Sequence, residues 1–205
     1  VAANHASFSF GISVYDIYAT LFSGACVAII PSAMLLSPKH CLRFIEKNKI
    51  THWYSVPSAL QRICDEPDFK LKAQKSLQCI ITAGEPLPRS LANKILEALP
   101  QARLFNFYGA SETNVSTYFE VTEPLPASLP NAPIGKAVPH CKVTTKKRPN
   151  GLEELTVQGD SVMLGYWGDD FTTDLIYHTG DIVEKTKNGS YVFVNRVRCS
   201  RSLNS

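Results

Sequence analysis

Between Phe8 and about Thr122 the sequence alternates short β-rich runs with amphipathic helical stretches, and this restricts its architecture more than any other feature. Val14, Ile17, Tyr18 and Leu21 recur at helical spacing. Ser23-Gly24 breaks the pattern, and Ala25 to Ile30 reads as a buried strand ended by Pro31. Ser37-Pro38 is a helix start, and the helix is expected to run to about Asn48. His52 to Val56 is the next strand, closed by Pro57, after which Ser58 opens another helix. The cycle repeats with Cys79 to Ala83 as strand, Gly84-Glu85-Pro86 as turn, Ser90 to Leu99 as helix and Arg103 to Phe107 as strand. Such alternation predicts an α/β fold, a parallel sheet with helices on both faces. Ligands of these sheets bind beyond the carboxyl ends of the strands, which points to the loops after Ala83 and after Phe107.

After about Glu123 the texture changes. Pro124, Pro126, Pro130 and Pro133 exclude helix, and short strands follow at 143–145, 154–158 and 191–194, with turns at Asn150-Gly151 and Asn188-Gly189. A small antiparallel β subdomain, a distorted barrel, is expected here. The expected division is therefore 1–123 (α/β), 124–196 (β-rich) and a polar tail at 197–205.

Composition excludes several function classes. With 44% hydrophobic and 19% charged residues the chain is no disordered tail. The formal net charge of +3 is spread out, and Lys146-Lys147-Arg148 beside Pro149-Asn150-Gly151 reads as a solvated turn, so no nucleic-acid partner is expected. No apolar run is long enough to span a bilayer, and no membrane partner is expected. The six cysteines form no C-x-x-C pair, and the apolar settings of Cys26 and Cys79 suggest buried thiols in a reducing, cytoplasmic setting.

Two motifs carry chemistry. Asn106-Phe107-Tyr108-Gly109-Ala110-Ser111-Glu112-Thr113 follows a predicted strand and supplies a ring for a base, a glycine for close backbone approach, a hydroxyl for phosphate and a carboxylate for Mg²⁺. Alone, it is equally a strand followed by an ordinary capped helix. Tyr177-His178-Thr179-Gly180-Asp181 places a carboxylate in a Gly-Asp turn, where it could meet the hydroxyls of a ribose; alone, it is a common hairpin turn.

Order and spacing add specificity. Phe8 to Asp16, Thr82 to Pro88, Asn106 to Thr113, Pro133 to Lys136, Glu154 to Val157, Gly165 to Trp167 and Tyr177 to Asp181 follow one another along residues 5 to about 196. This series resembles the adenylation domains of nonribosomal peptide synthetases and the free-standing ligases that load D-alanine or proline onto carrier proteins. The resemblance implies ATP-dependent activation of a small carboxylic acid as acyl-AMP, then transfer to phosphopantetheine on an acyl or peptidyl carrier protein. An acyl- or aryl-CoA ligase, or an inactive remnant, are the alternatives.

By the same resemblance Tyr108 would stack on adenine, with Asn106 near its exocyclic amine and the Gly84–Glu85 backbone on its other side. Ser111, two residues after Gly109, would contact phosphate, Glu112 would hold Mg²⁺, Asp181 would take both ribose hydroxyls, and Arg196 would be a second ribose contact. The acyl pocket would be lined by Gly11, Ile12, Tyr15, Tyr54, Ile81, Ala83, Phe107, Val115 and Ser116, each of which could equally be plain core.

Two departures matter. Members of this family that activate α-amino acids carry an Asp where this chain has Gly11. A glycine cannot pair with an ammonium, so the substrate lacks that group, another residue compensates, or activity is lost. Keto, hydroxy, aryl and fatty acids would fit the first case. After Arg196 the likeness stops, with Arg198 at the hinge position. The family's phosphate loop lies upstream and its catalytic Lys downstream of this stretch, so little turnover is expected of the chain alone.

Overall fold

The computed structural model describes residues 1–168 and 173–197; the tail from Arg198, including the hinge position, lies outside them. The elements in order are β1 (Ala2–Asn4), α1 (Ile12–Val14), a π-helical stretch (Tyr15–Ala19), α2 (Thr20–Phe22), β2 (Val27–Ile29), α3 (Ser32–Leu35), α4 (Pro38–Lys47), β3 (His52–Ser55), α5 (Pro57–Cys64), α6 (Phe69–Ala73), β4 (Cys79–Thr82), α7 (Arg89–Ala98), β5 (Arg103–Tyr108), β6 (Thr117–Val121), β7 (Lys136–Ala137), β8 (Cys141–Lys147), β9 (Glu153–Gly159), β10 (Ile176–Lys185) and β11 (Tyr191–Arg196). They form two compact units. Unit 1 comprises Val1–Phe107 and Phe119–Ala132; unit 2 comprises Tyr108–Tyr118 and the described residues from Pro133 on.

In unit 1 the strands lie in the order β2-β1-β3-β4-β5-β6. The pairs from β2 through β1, β3 and β4 to β5 are parallel, as the strand–helix alternation predicts. Register sorts the side chains into two faces, because successive residues of a strand point to opposite sides. Ala3, Trp53, Ile80 and Leu104 form one row and Asn4, Tyr54, Ile81 and Phe105 the next. The first row belongs to the main core, where α4 contributes Leu42 and Ile45, α5 Leu60 and Ile63, and α7 Leu91 and Ile95. The second row faces the opposite way, and Ile12 and Tyr15 pack over it.

Local sequence explains the helices. In α4, Ser37 accepts a hydrogen bond from the His40 N–H at 3.4 Å and Pro38 takes the first turn, where its missing N–H costs nothing. Cys41, Leu42 and Ile45 make its buried stripe, and Lys49, at φ +50°, leaves the helix. The segment predicted as helical around Val14 to Leu21 is so, but with a π-helical stretch inside it, an extra residue that periodicity alone does not reveal.

β1 was not predicted, since Ala2-Ala3-Asn4 has little strand propensity, yet it sits between β2 and β3. Cys26 corrects the expectation of a buried thiol: it is exposed, because it leads into β2, the outermost strand. Cys79 is half-buried, and the five described cysteines are free thiols. No helix among the described residues is long and apolar enough to cross a membrane.

Unit 2 holds an antiparallel sheet in the order β11-β10-β9-β8. Ile134, Leu155, Val183 and Tyr191 form its core, with Tyr108, Val143 and Phe193 packed against them. Lys146 and Lys147 end a strand rather than form a turn: they lie opposite Glu154 and Glu153, and Arg148 pairs with Glu154 at 2.9 Å. β7 pairs with the start of β6, through Lys136 opposite Tyr118.

Candidate functional site

In unit 2, the sequence Tyr177 to Asp181 does not turn between two strands as expected. It lies inside the long β10, whose pairing with β9 breaks between His178 and Ile182 and with β11 between Ile182 and Val183. Gly180, at φ +71°, supplies the backbone bend, and such bulges re-aim a side chain. The bend is fixed by three bonds. The Thr179 hydroxyl donates to the Leu155 carbonyl at 2.8 Å and accepts from the Asp181 N–H at 3.0 Å, while the Gly180 N–H donates to Glu154 Oε1 at 2.9 Å.

Asp181 is thereby fully buried with three donors on its carboxylate. Arg196 approaches bidentately, Nε at 2.5 Å and Nη2 at 2.9 Å, and the Tyr108 hydroxyl donates at 2.6 Å. The register that sets Asp181 opposite Arg196 across β10 and β11 makes the pair possible. Burial, followed by the Asp181 charge, pushes the Tyr108 hydroxyl far above its ordinary pKa, so it stays a donor. The hydrogen bonds to Asp181 raise Arg196 further still.

The segment after Tyr108 forms no helix; residues 109–116 are a tight loop. Gly109 is required there, because a Cβ at this position would fall 1.6 Å from the Asn114 carbonyl oxygen. The Ser116 N–H closes the loop onto the Tyr108 carbonyl at 2.8 Å. Ser111 is exposed at its tip. The half-buried Glu112 accepts hydrogen bonds from the hydroxyls of Tyr166 and Tyr177. Burial and then the Glu112 charge push Tyr177 up to about 12. Neither tyrosine was assigned a role from sequence, because nothing local links residues so far from Glu112 in the chain. Among the described residues no three His, Cys, Asp or Glu gather as a metal cage.

Val115 and Ser116 also belong to unit 2. Ser116 is buried with its hydroxyl on Thr113 Oγ1 at 2.9 Å, so its side chain serves the loop.

Unit 1 carries the remaining candidates. Gly84, at φ +83°, lets the chain turn away from β4 in a conformation that side chains resist. Glu85 caps α5, accepting from the Ser58 N–H at 3.0 Å and the Ser58 hydroxyl at 2.9 Å. Asn106 is buried and accepts from the Thr82 hydroxyl at 3.3 Å, across the paired β4 and β5.

Tyr54, Ile81 and Ala83 are buried together, with Ile12, Tyr15 and Phe107 packed against them. The rings meet edge to face: Tyr15 on Tyr54 at 5.4 Å and 88°, Tyr54 on Phe107 at 6.0 Å and 73°. Gly11, the residue before α1, is exposed.

Asp16, the last residue of the Phe8 to Asp16 motif, lies beside this cluster. It is buried in the π-helical stretch, its Oδ2 accepts from Asn4 Nδ2 at 3.0 Å, and its Oδ1 has no partner. Burial, partly opposed by the Asn4 bond, raises its pKa to about 7. A folded-state value above the unfolded one means that the folded chain holds the proton, so stability falls as pH rises from about 4 to about 7 and then levels off. Asp16→Asn removes that dependence. Urea unfolding should show the wild type losing roughly 2–4 kcal/mol more than the variant between pH 4 and pH 8. Parallel curves would mean that Asp16 ionises freely in the folded chain.

Residues 1–167 match a family described as AMP-binding enzyme. The chain is 37% identical over 201 residues to an L-proline–[L-prolyl-carrier protein] ligase of Pseudomonas fluorescens, covering 95% of this chain and 40% of that protein. It is 32% identical over 194 residues to a D-alanine–D-alanyl carrier protein ligase of Bacillus velezensis, covering 87% and 39% respectively. The chain thus spans about 40% of the length of these curated relatives. Among solved structures, the Vibrio cholerae adenylation domain AlmE, in complex with glycyl-adenosine-5'-phosphate, superposes with a TM-score of 0.76 at 27% identity, covering 95% of this chain and 40% of that one.

Proposed function

The chain belongs to the AMP-binding enzyme family, and from that premise we propose that it carries the nucleotide- and acid-binding part of an ATP-dependent ligase, which makes an acyl-AMP and passes the acyl group to a phosphopantetheinyl carrier protein. In the first step a carboxylate oxygen of the acid bonds to the α-phosphorus of ATP and pyrophosphate leaves. In the second, the carrier's thiol attacks the acyl carbon and AMP leaves. The carrier as acceptor is supported by the two relatives, both named for carrier-protein ligation.

The observation that carries the nucleotide half is the buried Asp181 with Tyr108 and Arg196 on its carboxylate. An aromatic ring, a carboxylate and a guanidinium brought together by a conformationally fixed bulge suit a nucleoside: Asp181 accepts the ribose hydroxyls, Arg196 steadies the carboxylate, and Tyr108 presents its ring to adenine. The loop from Gly109 to Ser111 is assigned to phosphate, where the exposed Ser111 hydroxyl suits anionic oxygens.

Mg²⁺ fits the donor set in a restricted sense. Glu112 offers one carboxylate, and Mg²⁺ is commonly held by one or two carboxylates together with substrate phosphates rather than by a protein cage. When bound, the ion would supply charge neutralisation at the phosphates, and the hydroxyls of Tyr166 and Tyr177 hold the Glu112 carboxylate in place for it. The acid is assigned to the cluster of Ile12, Tyr15, Tyr54, Ile81, Ala83 and Phe107 in unit 1, with Gly11 beside it. A cytoplasmic setting belongs to this reading, supported by the five free thiols among the described residues.

Calorimetric titration of the chain with AMP and with Mg-ATP tests this. Saturable one-to-one binding is the expected result. A folded sample, by circular dichroism, that binds neither nucleotide would overturn the assignment.

A further inference from the structure

Glu154, on β9, is a buried carboxylate whose two oxygens serve two different segments of unit 2. Oε2 accepts from Arg148 Nε at 2.9 Å, just beyond the end of β8. Oε1 accepts from the Gly180 N–H at 2.9 Å, inside β10. Burial would raise the Glu154 carboxyl, but the Arg148 side chain and then the Gly180 N–H outweigh it and hold it below its ordinary pKa. The bond to Gly180 is therefore charge-assisted, the stronger kind.

Register explains why a side chain has to reach this far. Between the pairs His178–Thr156 and Ile182–Glu154, β10 has Thr179, Gly180 and Asp181 where β9 has Leu155 alone. The extra residues leave the regular ladder, and their N–H groups turn to side chains instead. The Asp181 N–H finds the Thr179 hydroxyl within the bulge, while the Gly180 N–H finds Glu154 from the neighbouring strand. Gly180, at φ +71°, is the residue that resists backbone rotation least. Fixing its N–H limits that rotation one residue before Asp181, and so governs where the Asp181 carboxylate points.

An ion pair of this kind would stabilise the sheet anywhere along β9. What distinguishes its place is that the group it holds adjoins the carboxylate assigned to the ribose. We propose that Glu154 is a positioning residue for nucleoside recognition: with Arg148 balancing its charge, it holds the Gly180 N–H and thereby aims Asp181 at the ribose hydroxyls. This rests on the reading above that Asp181 receives the ribose. Without Glu154 the buried Gly180 N–H loses its partner and the bulge is freer to rotate. Asp181 then relaxes, and Arg196, whose side chain is largely exposed, moves with it. The ring of Tyr108 and the loop after it do not bond to Glu154, so contacts to the base and the phosphate are spared.

Calorimetry on the whole chain tests this by comparing AMP with its analogue lacking both ribose hydroxyls, dideoxy-AMP. The ratio of the two affinities reads ribose recognition alone. The wild type is expected to prefer AMP by about tenfold or more. Glu154→Ala should cut that preference to about threefold or less while binding dideoxy-AMP within about threefold of the wild type. Glu154→Gln, whose one amide oxygen serves either the Gly180 N–H or Arg148 but not both, should fall between them. A folded Glu154→Ala that keeps the wild-type preference overturns the inference. So does one that weakens both ligands in equal proportion, the mark of a merely structural role. If circular dichroism shows Glu154→Ala unfolded, Glu154→Gln decides: a preference about threefold or more below the wild type's, with dideoxy-AMP unchanged, sustains the inference, and a smaller change overturns it. Equal affinity of the wild type for the two ligands, or binding of neither, overturns the reading of Asp181 itself, and the inference with it.

Discussion

Replacing Asp181 with alanine is expected to weaken AMP binding by roughly 10²- to 10⁴-fold, since each hydrogen bond from a ribose hydroxyl to a carboxylate contributes about 1.5–3 kcal/mol. The size of the effect follows from the carboxylate's commitments. An ionised carboxyl has about four acceptor positions, and Arg196 and Tyr108 use three of them. A ribose brings two donors, so one existing bond yields when it binds, and the Tyr108 hydroxyl is the weaker, uncharged partner. Loss of the ion pair itself matters less to folding, because the Arg196 side chain is 63% exposed and returns to water. Asp181→Asn keeps the shape and one acceptor, and is expected to fall between wild type and Asp181→Ala. Titration of variants with wild-type circular dichroism separates binding from folding. Asp181→Ala binding within about threefold of wild type would remove the ribose from Asp181.

Gly109→Ala should be the most disruptive single methyl in unit 2. Its added carbon would fall 1.6 Å from the Asn114 carbonyl oxygen and 2.6 Å from the carbonyl carbon, both backbone atoms that cannot rotate away. The neighbouring geometry has little slack. Asn114 already sits at φ +54°, and the Thr113 and Ser116 hydroxyls bond each other at 2.9 Å beneath the loop. Opening it breaks the Ser116 N–H bond to Tyr108 and exposes the buried Thr113 and Ser116. A loss of about 3 kcal/mol or more is expected, read as a lower urea midpoint with unchanged slope. Because the loop begins at Tyr108, AMP binding should weaken as well. A variant that melts with the wild type would show that residues 109–116 do not pack as described.

Residues near in sequence made much of this chain legible. The strands at His52, Cys79 and Arg103 and the helices after Ser37, Pro57 and Pro88 follow from β-branched or apolar runs punctuated by Pro and Gly, and those signals are local. The loop after Phe107 was found because its chemistry is packed into eight consecutive residues, Asn106 to Thr113. Where the signal was weak or non-local, sequence failed. β1 has three residues of poor strand propensity and exists because β2 and β3 pair with it. Cys26 looked buried because its neighbours are apolar, but exposure depends on which strand ends the sheet.

The nucleotide candidates divide the same way. Tyr108, Glu112, Asp181 and Arg196 were picked out by residue type, order and spacing, which a sequence retains without its fold. What each touches was decided by the tertiary structure: a β-bulge turned Asp181 inward, cross-strand register brought Arg196 to it, and distant Tyr166 and Tyr177 came to Glu112. Asp16 belongs wholly to the second class, since a carboxyl's burial and its single partner Asn4 are products of packing. Sequence alone determined the alternation of elements and the inventory of reactive groups, because propensity and side-chain chemistry are properties of neighbouring residues. Only the tertiary structure decided which groups are desolvated and paired, because register, bulges and burial are set by contacts between segments far apart in the chain.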